Sequence, residues 1–209
     1  MTAISTEADL RARYRAPSPV VLRKDAGRID EGARGFIAAS PFVVVATSSD
    51  GGCDASPRGG PPGFVAVLDE HRVAWGDLSG NNRLDTMANV VNGGHVGLLF
   101  VVPGLDETLR VNGTGSISDD PAVLDACTVD GRRPRVAVVV EVRECFVHCA
   151  KAFRRAGMWD PSSWLPEDER PKPECMLRDH AGLDVEPDVI RRDLDAGYAA
   201  TMWEAGGQG

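Results

Sequence analysis

Between residues 42 and 147 the chain passes through a series of strand-length apolar runs, and most of the connections are too short to hold a helix. FVVVATS (42–48) is β-branched and is followed by Asp50-Gly51-Gly52, a tight-hairpin signal. The return strand leads into Ser56-Pro57-Arg58-Gly59 and a glycine- and proline-rich stretch ending at Gly63. FVAVLD, up to Asp69, and RVAWGD (72–77) form a second pair joined at Glu70-His71. HVGLLFVVP (95–103) and TLRVNGTGSIS (108–118) form a third, and RVAVVVEVRECFV (about 135–147) is a last strand. A parallel sheet needs a crossover helix in nearly every connection, so these runs predict a mainly β fold with peripheral helices, an antiparallel meander closing into a barrel of about seven strands. Gly113-Thr114-Gly115 lies inside a strand and marks a bulge.

The two ends have a different period. Thr6 before Glu7, Asp9 and Leu10 opens a short helix that Pro17 ends, and Asp30 caps a second helix sending Phe36, Ile37 and Ala38 towards a core. Asp120-Pro121 is a further helix start. Beyond 148, HCAKAFRRAG is helical, a proline- and tryptophan-rich loop follows (159–173), and two more helices run to Trp203. The division is an N-terminal helical extension (1–40), a barrel domain (41–147) and a C-terminal helical extension packed on it (148–209). Trp159 and Trp164 in the loop either cover a flat apolar ligand or dock the C-terminal helices.

The stretch Trp75 to Gly94 carries the chemistry. Leu84, Met87, Ala88 and Val91 recur at helical spacing, with Gly80, Asn81 and Asn82 as capping residues in front and Gly93-Gly94 behind. Arg83 then falls in the first helical turn, where an anion is preferred. Either a phosphate sits there, or the arginine is solvated and pairs with Asp85. Ser56-Pro57-Arg58-Gly59 and Asn81-Asn82-Arg83 flank one β-hairpin, which can return the chain close to its start. Arg58 and Arg83 would then converge on one phosphomonoester. Neither a GxxxxGK[ST] loop nor a strand-linked GxGxxG is present.

A net charge of −8 argues against a general nucleic-acid or anionic-membrane surface, so any bound anion must meet a local basic cluster. No apolar run approaches a bilayer span, and the N-terminal residues lack a signal-peptide core. Five cysteines form no CxxC pair. Cys145, His148 and Cys149 lack the second pair a metal site needs, so the expectation is reduced thiols in a cytoplasmic protein without a metal. The four histidines are scattered, and no GxSxG elbow is present. Lys151, Arg154 and Arg155 share one helix, as a solvated basic face or an anion site.

SPRGGPPGF, then WGDLSGNNRLDTMANVVNGGHVGLLF, then LRVNGTG resemble, in order and spacing, the pyridoxamine-5′-phosphate-oxidase-like flavoproteins of split-barrel fold, over roughly residues 36–157. The resemblance implies a six- to seven-stranded split β-barrel and a homodimer with FMN at the subunit interface. It implies that Ser56, Pro57, Arg58 and Gly59 lie beside the flavin and its phosphate tail, with Asp77 of the WGD motif nearby. It further implies that Asn81, Asn82 and Arg83 grip the phosphate and that Thr108 reaches the flavin ring from the second subunit. The segment HCAKAFRR…MWDP resembles one subgroup and adds Lys151 and Trp159 to the flavin's surroundings. The arginine- and histidine-bearing C-terminal strand motif of the true pyridoxamine-phosphate oxidases has no match here, which disfavours vitamin B6 oxidation. The leading expectation is an FMN-dependent oxidoreductase acting on a small organic substrate. A deazaflavin-dependent reductase and a non-catalytic flavin- or haem-binding protein stay open.

Overall fold

The computed structural model describes residues 3–204; the last five residues of the C-terminal extension lie outside the described residues. Three helices come first: α1 (Glu7–Arg11), α2 (Pro19–Arg23) and α3 (Glu31–Ala39). Thr6, Ser18 and Asp30 each cap the helix that follows, their side-chain oxygens accepting an amide hydrogen from the first turn. Only α3 enters the core, through Ala33 and Ile37. The sequence reading left out α2.

The strands are β1 (Phe42–Ser49), β2 (Gly52–Gly59), β3 (Ala66–Val67) and β4 (Arg72–Gly76), then, after helix α4 (Asp85–Val91), β5 (His95–Val101) and β6 (Thr108–Ser118), and, after α5 (Pro121–Ala126), β7 (Ala137–His148). The chain ends with α6 (Lys151–Ala156), two 3-10 turns (Pro161–Ser163 and Glu167–Glu169), α7 (Pro173–Ala181) and α8 (Pro187–Thr201). All seven strands pair antiparallel in the order β2-β1-β5-β6-β7-β4-β3.

That order corrects the simple meander. The neighbours β5, β6 and β7 follow the chain, but the β1–β2 and β3–β4 hairpins attach to opposite sides of this trio. Hairpin signals fix only local pairs; which edge each pair joins depends on which faces must be buried together. The alternating Val43, Val45, Val96, Leu98, Phe100, Val111, Val138 and Val140 share one core with Val73, Trp75, Ile37 and Val90. The sheet therefore wraps around that core, but its end strands β2 and β3 do not pair, leaving a split barrel. Pro57 sits on β2, an edge strand, where a missing ladder donor is tolerated. A second small cluster, Ala74, Leu124, Cys127, Ala137 and Val139, covers the other face of β4 and β7 with α5.

The expected bulge is present. Asn112 opposes Glu144 but Gly113 opposes Val142, so Arg143 is the extra residue. A Cβ on Gly113 would overlap the Glu141 carbonyl, which explains the glycine. The five cysteines are unpaired, and burial pushes the Cys127 and Cys145 thiols up to about 11. No helix among the described residues is long and apolar enough to cross a membrane.

Candidate functional site

A cavity of about 610 Å³ opens between the edge strand β2, the end of β4, the loop after it and α4. That volume falls within the range of about 300–1,000 Å³ that ligand sites occupy. Ser56, Pro57, Arg58 and Gly59 line it from β2, and Asp77, Asn81, Asn82 and Arg83 line it from the loop. The hairpin between them returns the chain as the spacing predicts, so eight of the eleven expected site residues meet here. Phe64, Trp75, Leu78 and Met87 add apolar wall.

Period-2 alternation puts Asp54, Ser56 and Arg58 on one face of β2, where all three are half-buried. They converge on Thr86, a buried hydroxyl of α4. Thr86 Oγ1 donates to Asp54 Oδ2 at 2.7 Å and accepts from Arg58 Nη2 at 3.1 Å. A hydroxyl has one proton to give, so Ser56 Oγ, 3.0 Å away, is the donor in the third contact. Arg58 Nη1 also donates to the Pro57 carbonyl at 2.8 Å. The guanidinium is thus held by its own chain before any ligand arrives.

The helix before the cavity departs from expectation. It begins at Asp85, with Leu84 as N-cap and no side-chain cap. Asn81 caps nothing; its Oδ1 accepts the Arg83 amide at 3.1 Å, a turn that sets the arginine in the loop rather than in the first helical turn. The buried residues of α4 are Thr86 and Val90, with Leu84 and Val91 exposed, so the expected apolar stripe is not the face turned to the core. The reason is the Thr86 network and the Asn89 side chain, which donates to Thr47 Oγ1 at 3.0 Å; together they fix the rotation of a helix of only seven residues. Asn82 and Leu84 have φ of 55° and 60°, a left-handed backbone that is strained for leucine.

Arg83 Nε donates to Asp85 Oδ2 at 2.8 Å, and this hydrogen bond raises the arginine's pKa. The solvated pairing therefore exists in the protein by itself. Burial raises the Asp77 carboxyl above its ordinary range, with the Arg58 guanidinium opposing the shift. Two guanidiniums thus face three carboxylates, Asp54, Asp77 and Asp85, around one cavity.

Thr108, Lys151 and Trp159 are not at this cavity within one chain. They gather around the start of β6, where Thr108 is buried and opposite His148. Lys151 opens α6 just beyond, and Trp159 Nε1 donates to the Leu105 carbonyl at 3.0 Å while its ring packs on Phe153. The 159–173 loop contributes nothing to the cavity wall; Met202 and Trp203 do. Sequence reasoning missed Asp54, Thr86, Met202 and Trp203. The β2 alternation was a usable signal for Asp54, but nothing local pointed to the other three.

An open antiparallel barrel with arginines brought from an edge strand and a post-hairpin loop to one rim cavity is a split-barrel architecture. Residues 29–149, more than half of the chain, match the pyridoxamine 5′-phosphate oxidase family, and the chain belongs to that family, which includes FMN-binding oxidoreductases. No curated protein matches the chain. Among solved structures it is similar to HupZ of Group A Streptococcus, at 20% identity over 57% of this chain and 93% of that one, with a TM-score of 0.47. It is also similar to General Stress Protein 26 from Bacillus anthracis, at 12% identity over 54% and 88%, TM-score 0.40. A third is a Clostridium acetobutylicum protein related to general stress protein 26, of the pyridoxinephosphate oxidase family, at 16% identity over 56% and 85%, TM-score 0.39.

Proposed function

We propose that the chain is a cytoplasmic FMN-dependent oxidoreductase acting on a small organic substrate, as a homodimer that holds the flavin where two subunits meet. The observation that carries this reading is the convergence of Arg58 and Arg83 on one cavity that also has aromatic and aliphatic walls. The donor set fits FMN: two guanidiniums for a phosphomonoester, Asn81 and Asn82 beside them, and Phe64, Trp75 and Met87 for apolar contact.

The flavin, when bound, supplies reversible hydride and electron transfer, and the protein supplies binding, orientation and electrostatics. Arg58 is preorganised for its part by Thr86 and the Pro57 carbonyl. Arg83 must exchange Asp85 for the phosphate, a swap between two anions at an exposed position. With three carboxylates around the two guanidiniums the cavity is net negative, so an anionic tail has to be met by the arginines directly. Thr108, Lys151 and Trp159, grouped away from the cavity, are assigned to the flavin of the second subunit. The outward face of β1, β2 and β5 offers an apolar patch for that partner: Pro57 opposes Val44, which opposes Leu99, with Ala55, Ala46 and Gly97 in the next row.

The test is an FMN titration of the purified protein with its visible spectrum. Wild type is expected to take FMN. A charged hydrogen bond contributes about 1.5–3 kcal/mol, so Arg58→Ala and Arg83→Ala should each weaken binding roughly 10- to 100-fold. Full affinity in either variant removes that arginine from the site, and a haem or deazaflavin spectrum instead of flavin overturns the cofactor. Anaerobic reduction with NADH or NADPH, then reoxidation, tests for turnover.

A further inference from the structure

The C-terminal end of the described chain is built into the cavity from more than a hundred residues away. Met202 and Trp203, just past α8, line the same cavity as Arg58 and Arg83. The Ser79 amide donates to the Glu204 carbonyl at 2.8 Å. Ser79 belongs to the loop that carries Asn81, Asn82 and Arg83, so this bond ties the end of the chain directly to the arginine-bearing segment.

That loop needs an anchor. Two of its residues, Asn82 and Leu84, are in the left-handed backbone region, and such strain persists only where surrounding contacts over-determine it. Among the described residues its hydrogen bonds include the Asp77 amide to the Val136 carbonyl at its start, the Asn81 turn and the Arg83–Asp85 pair within it, and the Ser79–Glu204 bond. Ile190 is the buried residue of α8, and Arg191 ties that helix to Glu174 of α7 at 2.6 Å. Trp203 lines the cavity and is 37% exposed, so part of its large apolar side chain is open for contact with a ligand.

We propose that the turn Met202–Glu204 is a positioning element of the ligand site: Glu204 holds the Arg83 loop through Ser79, and Trp203 supplies an aromatic wall for a planar ring. The ligand class is an aromatic ring system with an anionic tail, and its assignment to FMN rests on the function proposed above. Within one chain, the part of the C-terminal extension that reaches the cavity is thus its far end. Tail docking and ligand binding are linked, because each stabilises the same loop.

Hydrogen exchange on the ligand-free protein tests the clamp without reference to any cofactor. In wild type the Ser79 amide should exchange more slowly than the amides of its loop that donate to nothing. Trp203→Ala should accelerate it about tenfold or more, the loss expected for one hydrogen-bonded contact, while Trp203→Phe keeps most of the protection. With FMN as probe, Trp203→Ala should weaken binding about 3- to 10-fold and Trp203→Phe less, as for removal of one aromatic contact. An unprotected Ser79 amide in wild type, or exchange indifferent to Trp203→Ala, overturns the clamp even if FMN binds. If wild type takes no FMN but Ser79 protection depends on Trp203, the clamp stands and the flavin reading falls.

Discussion

Thr86→Val is the sharpest probe of the site, because one hydroxyl joins α4 to three side chains of β2 and can be removed at nearly constant side-chain volume. Thr86 is 4% exposed and links Asp54 and Arg58, both charged, as well as Ser56. Hydrogen bonds to charged groups contribute about 1.5–3 kcal/mol each. Asp54, Ser56 and Arg58 are only half-buried, so water recovers part of that in the variant, and Arg58 keeps the Pro57 carbonyl. The net loss should be about 2–3 kcal/mol, well below the sum of the separate bonds. Thr86→Ser keeps the hydroxyl and removes one methyl, which costs about 1 kcal/mol. Urea unfolding at neutral pH should therefore order the proteins as wild type, Thr86→Ser, Thr86→Val. FMN affinity should follow Thr86→Val downward, since Arg58 loses its fixed rotamer, and should hold in Thr86→Ser. Equal stability of Thr86→Val and wild type, or equal losses in the two variants, would refute the hydroxyl network as the organiser of the rim.

Asp77 gives a pH test. Burial raises its folded pKa above the ordinary 3.8, so its contribution to stability is fully present only below that value and is lost as pH rises through the folded pKa. Asp77→Asn should accordingly be more stable than wild type at pH 7, with the difference vanishing below about pH 3.8 in parallel thermal melts; a variant less stable at pH 7 would contradict the burial argument. Gly113→Ala places a methyl group against the Glu141 carbonyl, where the β6–β7 ladder must break to relieve it, so a loss of about 3 kcal/mol or more is expected by denaturation. A change within the noise would mean the bulge relaxes freely. Sedimentation velocity at micromolar concentration should give a dimer, with an interface in the obligate class of about 2,000 Å² or more; a single monomer-sized species with flavin bound would sink the shared-interface reading.

What the sequence alone determined is what neighbours along the chain decide. The β-branched and apolar runs in 42–48 and 95–101, the Asp50-Gly51-Gly52 turn, Asp120-Pro121 and the bulge at Gly113 each depend on local backbone preference. The meeting of Arg58 and Arg83 was legible for the same reason, since a single hairpin separates them. Tertiary structure decided the rest. The hairpins carry no label for the edge they join, so the order β2-β1-β5-β6-β7-β4-β3 follows from the faces that must share one core. The seven residues of α4 are too few for periodicity to set its rotation, and the Thr86 and Asn89 hydrogen bonds with distant strands set it instead. Met202 and Trp203 have no local signal at all, because their place at the cavity depends on where the C-terminal helices pack. Side-chain period and turn chemistry act over a few residues, whereas the choice of which buried faces and unpaired polar groups meet is made only when the whole chain is folded.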